Sequence, residues 1–184
     1  MFARTQRLML RPGWAEDAPE LARAIGHHEV VRNLSRAPWP YALGDAQAFL
    51  SLPCAPTDLR FLICAFEDGA TKIVGGVGIG PLRDEQHELG YWITPTAWGR
   101  GYATEAGAAV IRIARTLRID RVTARHAIDN PASGRVLRKL GFRPTGRVGS
   151  YSSLGRGGEV QSIEFEQRLT DSDCTDPCHG RMAA

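Results

Sequence analysis

Gly99 and Gly101, one residue apart in the run WGRGYA, stand where an apolar stretch ends and a helical pattern begins. With no Cβ, the backbone there comes close to a ligand, and the following helix leaves its first N–H groups unpaired at the positive end of its dipole. Such a turn suits an anion, most naturally a phosphate or pyrophosphate. The same glycines also suit a tight strand-to-helix turn in which they serve geometry alone. No Gly-Lys-Ser/Thr follows, so this is not a P-loop, and the Gly-x-Gly-x-x-Gly spacing of a dinucleotide fold is missing. Other reactive side chains are more isolated. Cys64 lies within the apolar run RFLICAFE and is expected in the core rather than as a nucleophile. His87 and His126 stand singly beside charged residues and are expected at the surface. Cys174, Cys178 and His179 fall in TDSDCTDPCHGRMAA with no second ligand pair nearby. Residues 170–184 are therefore expected as a disordered tail, and no metal site is expected.

The elements that must position the glycine turn follow from periodicity. RLMLRP reads as a first strand, and DAPELARAIG as a helix with Asp17 as N-cap and Glu20 three residues later. After the proline-rich APWPY, Gly44 and Asp45 open a short helix over AQAFLSL. RFLICAFE, KIVGGVGIG and HELGYWIT then form a meander, with Asp-Gly in the first connection favouring a hairpin. Beyond Gly101, Ala106, Val110, Ile113, Ala114 and Leu117 recur at helical spacing, while Arg112, Arg115 and Arg118 fall on other faces. DRVTARHAI is a further strand. PASGRVLRKLGF is a helix that turns Val136, Leu137 and Leu140 inward and closes at Gly141, and TGRVGSYS with EVQSIEFEQRL completes an antiparallel pair. The order is that of a mixed α/β domain on one sheet.

The 184 residues, 43% of them hydrophobic, suit a single domain, here residues 1–169. A net charge of +3 is too mild to favour nucleic acid or an anionic membrane as partner. No apolar run approaches the roughly 18 residues of a membrane span. The irregular cysteine spacing and the absence of a secretory leader pattern lead to the expectation of a cytoplasmic protein.

WGRGYATEA resembles the acyl-coenzyme A loop of the GNAT N-acetyltransferase superfamily, whose pattern is Arg/Gln-x-x-Gly-x-Gly/Ala. Trp98 departs from the first position of that pattern, as is common in the RimJ/RimL-like branch. TQRLMLRP, LGYWI and NPASGRVLRKLGFRPTG resemble the same branch in the same order, so the likeness runs from Thr5 to Leu169. The resemblance implies a mostly antiparallel central sheet with flanking helices, its fourth and fifth strands splayed so that acyl-coenzyme A lies in the V between them. Backbone groups of Trp92, Ile93 and Thr94 would pair with the pantetheine arm. After Trp98, the amides of Gly99, Arg100, Gly101, Tyr102, Ala103 and Thr104 would cradle the pyrophosphate. Asn130 and Ser133 match the Asn-x-x-Ser pair of the branch, the first to hydrogen-bond the pantetheine and the second to sit near the sulfur. Asn130 also suits a plain N-cap before Pro131.

In the superfamily the acyl group passes directly from sulfur to an amine in a ternary complex. An amine with a pKa of about 8 to 10.4 must first lose a proton. Glu88 is the candidate base, with an exposed strand residue as the alternative reading. A backbone N–H near Trp92 or Ile93 would meet the oxyanion, and Ser133 would donate to the departing thiolate, with Tyr102 and Tyr151 as weaker donors. His27, His28, Trp39 and Tyr41 would either wall the acceptor cleft or pack the helical edge. The expectation is an acetyl-CoA-dependent N-acetyltransferase acting on a protein N-terminus or a small amine. The rival readings are a noncatalytic acyl-CoA-binding module and a nucleotide-binding domain. Pairing of the last strands across a homodimer is an expectation by fold analogy.

Overall fold

The structure is a computed structural model that describes residues 1–53, 59–67, 69–81 and 86–169. The segment 170–184, expected as a tail, lies outside the described residues, and with it Cys174, Cys178 and His179. The strands are β1 (Ala3–Arg4), β2 (Leu8–Arg11), β3 (Leu59–Glu67), β4 (Ala70–Pro81), β5 (His87–Ile93), β6 (Arg121–Ala127), β7 (Arg143–Ser153) and β8 (Gly158–Arg168). The helices are α1 (Ala18–Ile25), α2 (His28–Val31), α3 (Leu43–Leu50), α4 (Tyr102–Thr116) and α5 (Pro131–Lys139), with short 3-10 turns at Ala15–Asp17 and Pro95–Ala97. All eight strands form one sheet in the order β1-β2-β3-β4-β5-β6-β8-β7.

Alternation along β3 divides the core into two layers. Phe61, Ile63 and Ala65 face the cluster that includes Ala106, Val110 and Ala114 of α4 and Leu137 of α5. Leu62 and Cys64 face the cluster built by Leu21 of α1, Val31 of α2 and Ala46 of α3. Cys64 is thus a core residue, as its apolar strand suggests, and burial pushes its thiol pKa up.

Four details depart from the expectations. Asp17 does not cap α1 with its side chain. Its carboxylate turns back to accept from the Trp14 N–H at 2.8 Å and from both terminal nitrogens of Arg11 at 2.6 and 2.7 Å. Glu20 accepts instead from the Ile73 N–H at 2.7 Å, beside the β3–β4 register shift at Ile63/Cys64. Leu117, expected to face inward, is exposed because α4 ends at Thr116. Arg118 then takes a left-handed φ of 57° and Ile119 donates to the Ala114 carbonyl, so that Ile119 enters the core in its place. His126, expected at the surface, is buried, because it shares the inward parity of Val122 and Ala124 on β6.

The Arg11–Asp17 pair is enclosed, each side chain about 10% exposed, and removing one partner strands the other's charge. Asp17→Ala is expected to cost about 3 kcal/mol, read by urea unfolding at pH 7. The Arg11 guanidinium holds the Asp17 carboxyl below the usual carboxylate range. Its contribution is therefore present above the unfolded pKa of about 3.9 and is lost as pH falls through the lower folded value. Equal stability of variant and parent at pH 7 would remove the pair from the account of the fold.

Candidate active site

β5 and β6 are the two strands expected to splay, renumbered because the two-residue β1 precedes the first strand legible in the sequence. They pair in parallel only at His87–Val122 and Glu88–Thr123. Beyond that point they part, and a cleft of about 550 Å³ opens between them. Glu88, Trp92, Ile93, Trp98, Gly99, Gly101, Tyr102, Ala103, Thr104, Asn130 and Ser133 all line it. Thr94 and Arg100 do not.

The glycine turn forms one end. Gly99 and Gly101 hold φ of 76° and 80°, the left-handed region that side chains rarely enter. A Cβ at Gly99 would meet nothing within 4 Å, so the turn is open on that side. The N-terminal segment fixes the loop from behind. Arg7 donates to the Arg100 carbonyl at 2.9 Å and pairs with Glu105 in the first turn of α4 at 2.6 Å, while Thr5 Oγ1 donates to the same carboxylate at 2.6 Å. Burial alone would raise the pKa of Glu105, but hydrogen bonds from Thr5 and Arg7 outweigh it and keep the group low. The Arg100 side chain turns away to Glu67 at 2.5 Å, so only its backbone belongs to the turn.

The edge of β5 corrects which strand residues face the opening. Thr94 N–H is already bonded to the Val74 carbonyl at 2.9 Å. In an antiparallel ladder bonding residues alternate, so Trp92 also turns its peptide groups toward β4. A Cβ added at Gly75 would sit 2.3 Å from the Trp92 carbonyl oxygen, in agreement. Tyr91 and Ile93 present their backbone to the open side. The Ile93 carbonyl is taken by the Trp98 indole N–H at 2.7 Å, which leaves Ile93 its N–H.

On the opposite wall, Asn130 Oδ1 accepts from the Ser133 N–H at 3.3 Å and caps α5. Ser133 Oγ lies 2.7 Å from Tyr91 OH, a partner not anticipated from sequence. Burial pushes the Tyr91 phenol pKa up to about 12, so it stays protonated and can donate. Glu88 sits at the branch point with its carboxylate on Arg125, Nε to Oε1 at 2.9 Å. Desolvation raises its pKa, opposed by the charges of Arg125 and Arg36 and reinforced by that of Glu164. His126 also reaches the cleft. Its Nδ1 lies 2.8 Å from the Ala127 carbonyl, and its Nε2 is buried without a hydrogen-bond partner beneath Gly134.

The cleft is also walled by α2 and the turn that follows, through Glu29, Val30, Asn33, Leu34 and Ser35. His27, His28, Trp39 and Tyr41 do not line it. Trp39 packs edge-on against His28, and Tyr41 packs on the α1–α3 cluster, the edge-packing alternative. The β7–β8 hairpin clasps this turn: Leu154 N–H donates to the Ser35 carbonyl at 3.0 Å and Ser153 Oγ to the Leu34 carbonyl at 2.8 Å. Arg156 donates to the Arg32 carbonyl at 2.6 Å and shares Asp129 with the Arg32 side chain. Alternation along LGYWI could have pointed to Tyr91. Nothing local in the sequence marks the clasp, whose two halves are more than a hundred residues apart.

A mixed sheet parted at two central strands, with a glycine turn opening a helix at the mouth of the gap, defines an acyltransferase-type α/β protein. The chain belongs to the GNAT acetyltransferase family: residues 7–143 match the family described as the acetyltransferase (GNAT) domain. It is 30% identical over 156 residues to the uncharacterized N-acetyltransferase YoaA of Bacillus subtilis (strain 168), a match covering 80% of this chain and 85% of that one. Among solved structures, the ribosomal-protein-S5-alanine acetyltransferase from Vibrio fischeri superposes with a TM-score of 0.74 at 16% identity, covering 93% of this chain and 98% of the other. The microcin C7 self-immunity acetyltransferase MccE, solved in complex with acetyl-CoA and AMP, gives 0.71 at 18% identity, covering 89% and 93%. Among the described residues no helix is long and apolar enough to cross a membrane, and no cluster of three or more potential metal ligands occurs.

Proposed function

We propose that this chain is an acetyl-CoA-dependent N-acetyltransferase of the RimJ/RimL-like kind, transferring acetyl to a primary amine by direct transfer in a ternary complex. The amine is a peptide N-terminus or a small-molecule amine. One observation carries the reading: the parted β5–β6 edge, the open glycine turn and the carboxylate of Glu88 all line a single cleft. The likeness to a ribosomal-protein acetyltransferase and to an acetyl-CoA complex supports it.

Acetyl-CoA supplies an acyl group activated as a thioester. The amides from Gly99 to Thr104, at the positive end of α4, take the pyrophosphate. The outward backbone of Tyr91 and Ile93 takes the pantetheine arm, and Asn130, its Oδ1 used in capping, offers its Nδ2 donor. Glu88 accepts the proton that the amine must lose, and its raised pKa brings its basicity toward that task. The Ile93 N–H meets negative charge developing on the carbonyl oxygen. Ser133, held by Tyr91, donates to the departing sulfur.

Thiol release from acetyl-CoA over a panel of peptides and small amines tests the reading. Amine-dependent release is expected, and saturable binding without release over the whole panel would favour a noncatalytic acyl-CoA-binding module. Ser133→Ala is expected to lower kcat about tenfold or more while keeping acetyl-CoA affinity within about twofold. Unchanged turnover would take Ser133 out of the mechanism.

A further inference from the structure

The base reading leaves one charged neighbour without a role. Arg125 projects from β6 just past the last β5–β6 pair, and its guanidinium meets Glu88 with two nitrogens, Nε to Oε1 at 2.9 Å and the terminal NH2 to Oε2 at 3.2 Å. This fork-on-carboxylate arrangement fixes the plane of the carboxylate as well as its place. The guanidinium is itself held, lying over the Tyr151 ring of β7 at 5.2 Å from its centroid. Tyr151 OH in turn reaches the Asn33 carbonyl at 3.5 Å, so the chain of contacts ends in the acceptor wall.

We propose that Arg125 is the positioning residue of the acceptor half of the site: its guanidinium holds the Glu88 carboxylate at the point where β5 and β6 part and sets the pH at which that carboxylate takes up a proton. The inference rests on the reading of Glu88 as the base. The groups whose charge acts on Glu88 are Arg125 on β6, Arg36 after α2 and Glu164 on β8, with Glu29, His126 and the neutral phenol of Tyr151 on β7 lining the same cleft. Of these, Arg125 alone bonds the carboxylate in the described structure, and it most strongly opposes the effect of burial. Without it, desolvation of Glu88 is countered only by Arg36.

The test follows the Glu88 carboxyl directly, by carbon-13 NMR titration of glutamate-labelled protein, with Glu88→Gln identifying the signal. The same variants are assayed for kcat against pH on one peptide acceptor, so that the titration of the amine is common to all. Arg125→Gln is expected to raise the Glu88 pKa by about one unit or more and to move the acid limb of kcat with it, acetyl-CoA Kd staying within about twofold. Arg125→Lys keeps the charge but not the fork, so the limb should stay near its wild-type position while kcat falls several-fold. A Glu88 signal and acid limb unmoved in Arg125→Gln would overturn the proposal even if kcat fell. Should that variant not fold, an Arg125→Lys protein with wild-type kcat would overturn it. Wild-type turnover in Glu88→Gln would remove the base reading itself, an outcome distinct from either.

Discussion

Gly101→Glu is expected to weaken acetyl-CoA binding by more than a hundredfold, measured by calorimetry or by quenching of tryptophan fluorescence. Two effects combine. Gly101 holds φ of 80°, and a side chain in the left-handed region costs about 1–2 kcal/mol, a weakening of roughly five- to thirtyfold if the strain is released by opening the turn. A carboxylate would then stand at the mouth of α4, where the backbone amides are otherwise free for an anion, and would compete with Glu105 for Arg7. Gly101→Ala separates the two. Its Cβ would meet nothing nearer than the terminal nitrogen of Arg7 at 3.5 Å, so it carries the strain without the charge and should fall in the milder range. Wild-type affinity in Gly101→Glu would count decisively against the turn as the pyrophosphate site.

Glu88→Gln should affect turnover and not binding. Removal of a general base costs about 10² to 10⁴ in rate, and a glutamine keeps the size of the side chain and one acceptor for Arg125. We expect kcat to fall at least a hundredfold with acetyl-CoA Kd within about twofold. The pH profile carries an independent signature. As the proposed base Glu88 would act as the carboxylate, and burial raises its pKa above the ordinary value, so wild-type kcat should climb with pH through a point above that of a free glutamate. In Glu88→Gln that limb should vanish, leaving only the titration of the amine. Retention of the limb would assign it to another group.

The long elements were legible because burial enforces a period. Ala106, Val110 and Ala114 mark the buried stripe of α4, and the closure of α5 at Gly141 was visible because φ of 89° requires a residue without Cβ. Short pieces carry too few residues to show a period: the two-residue β1 and the four-residue α2 exist only because neighbours hold them. Sequence pattern marks the glycine turn, but it is the family resemblance that puts Glu88 and Ser133 at one site with Gly99 and Gly101, and all four line one cleft. Pattern could not tell which peptide groups of β5 face the opening, because that depends on ladder phase, and Thr94 bonded to Val74 sets the phase. His126 reads as a surface residue from its charged neighbours, although its parity with Val122 and Ala124 points inward. Arg125 and Tyr151 come from β6 and β7, which lie on either side of β8 and approach only in the folded sheet.

The hairpin clasp bears on how such a protein changes its substrate. On the proposed reading the donor half would draw on residues 91–104 and on α5, and the acceptor wall on residues 29–35, which the hairpin tip pins through Ser153, Leu154 and Arg156. Mutations in the tip, at Leu154 or Gly155, could reshape the wall without disturbing the glycine turn. A lineage could thus drift from one amine to another while its thioester chemistry stays under constraint. For the engineer, the tip and the turn form a matched cassette: exchanged together between relatives they should carry acceptor preference with them, and exchanged singly they should not.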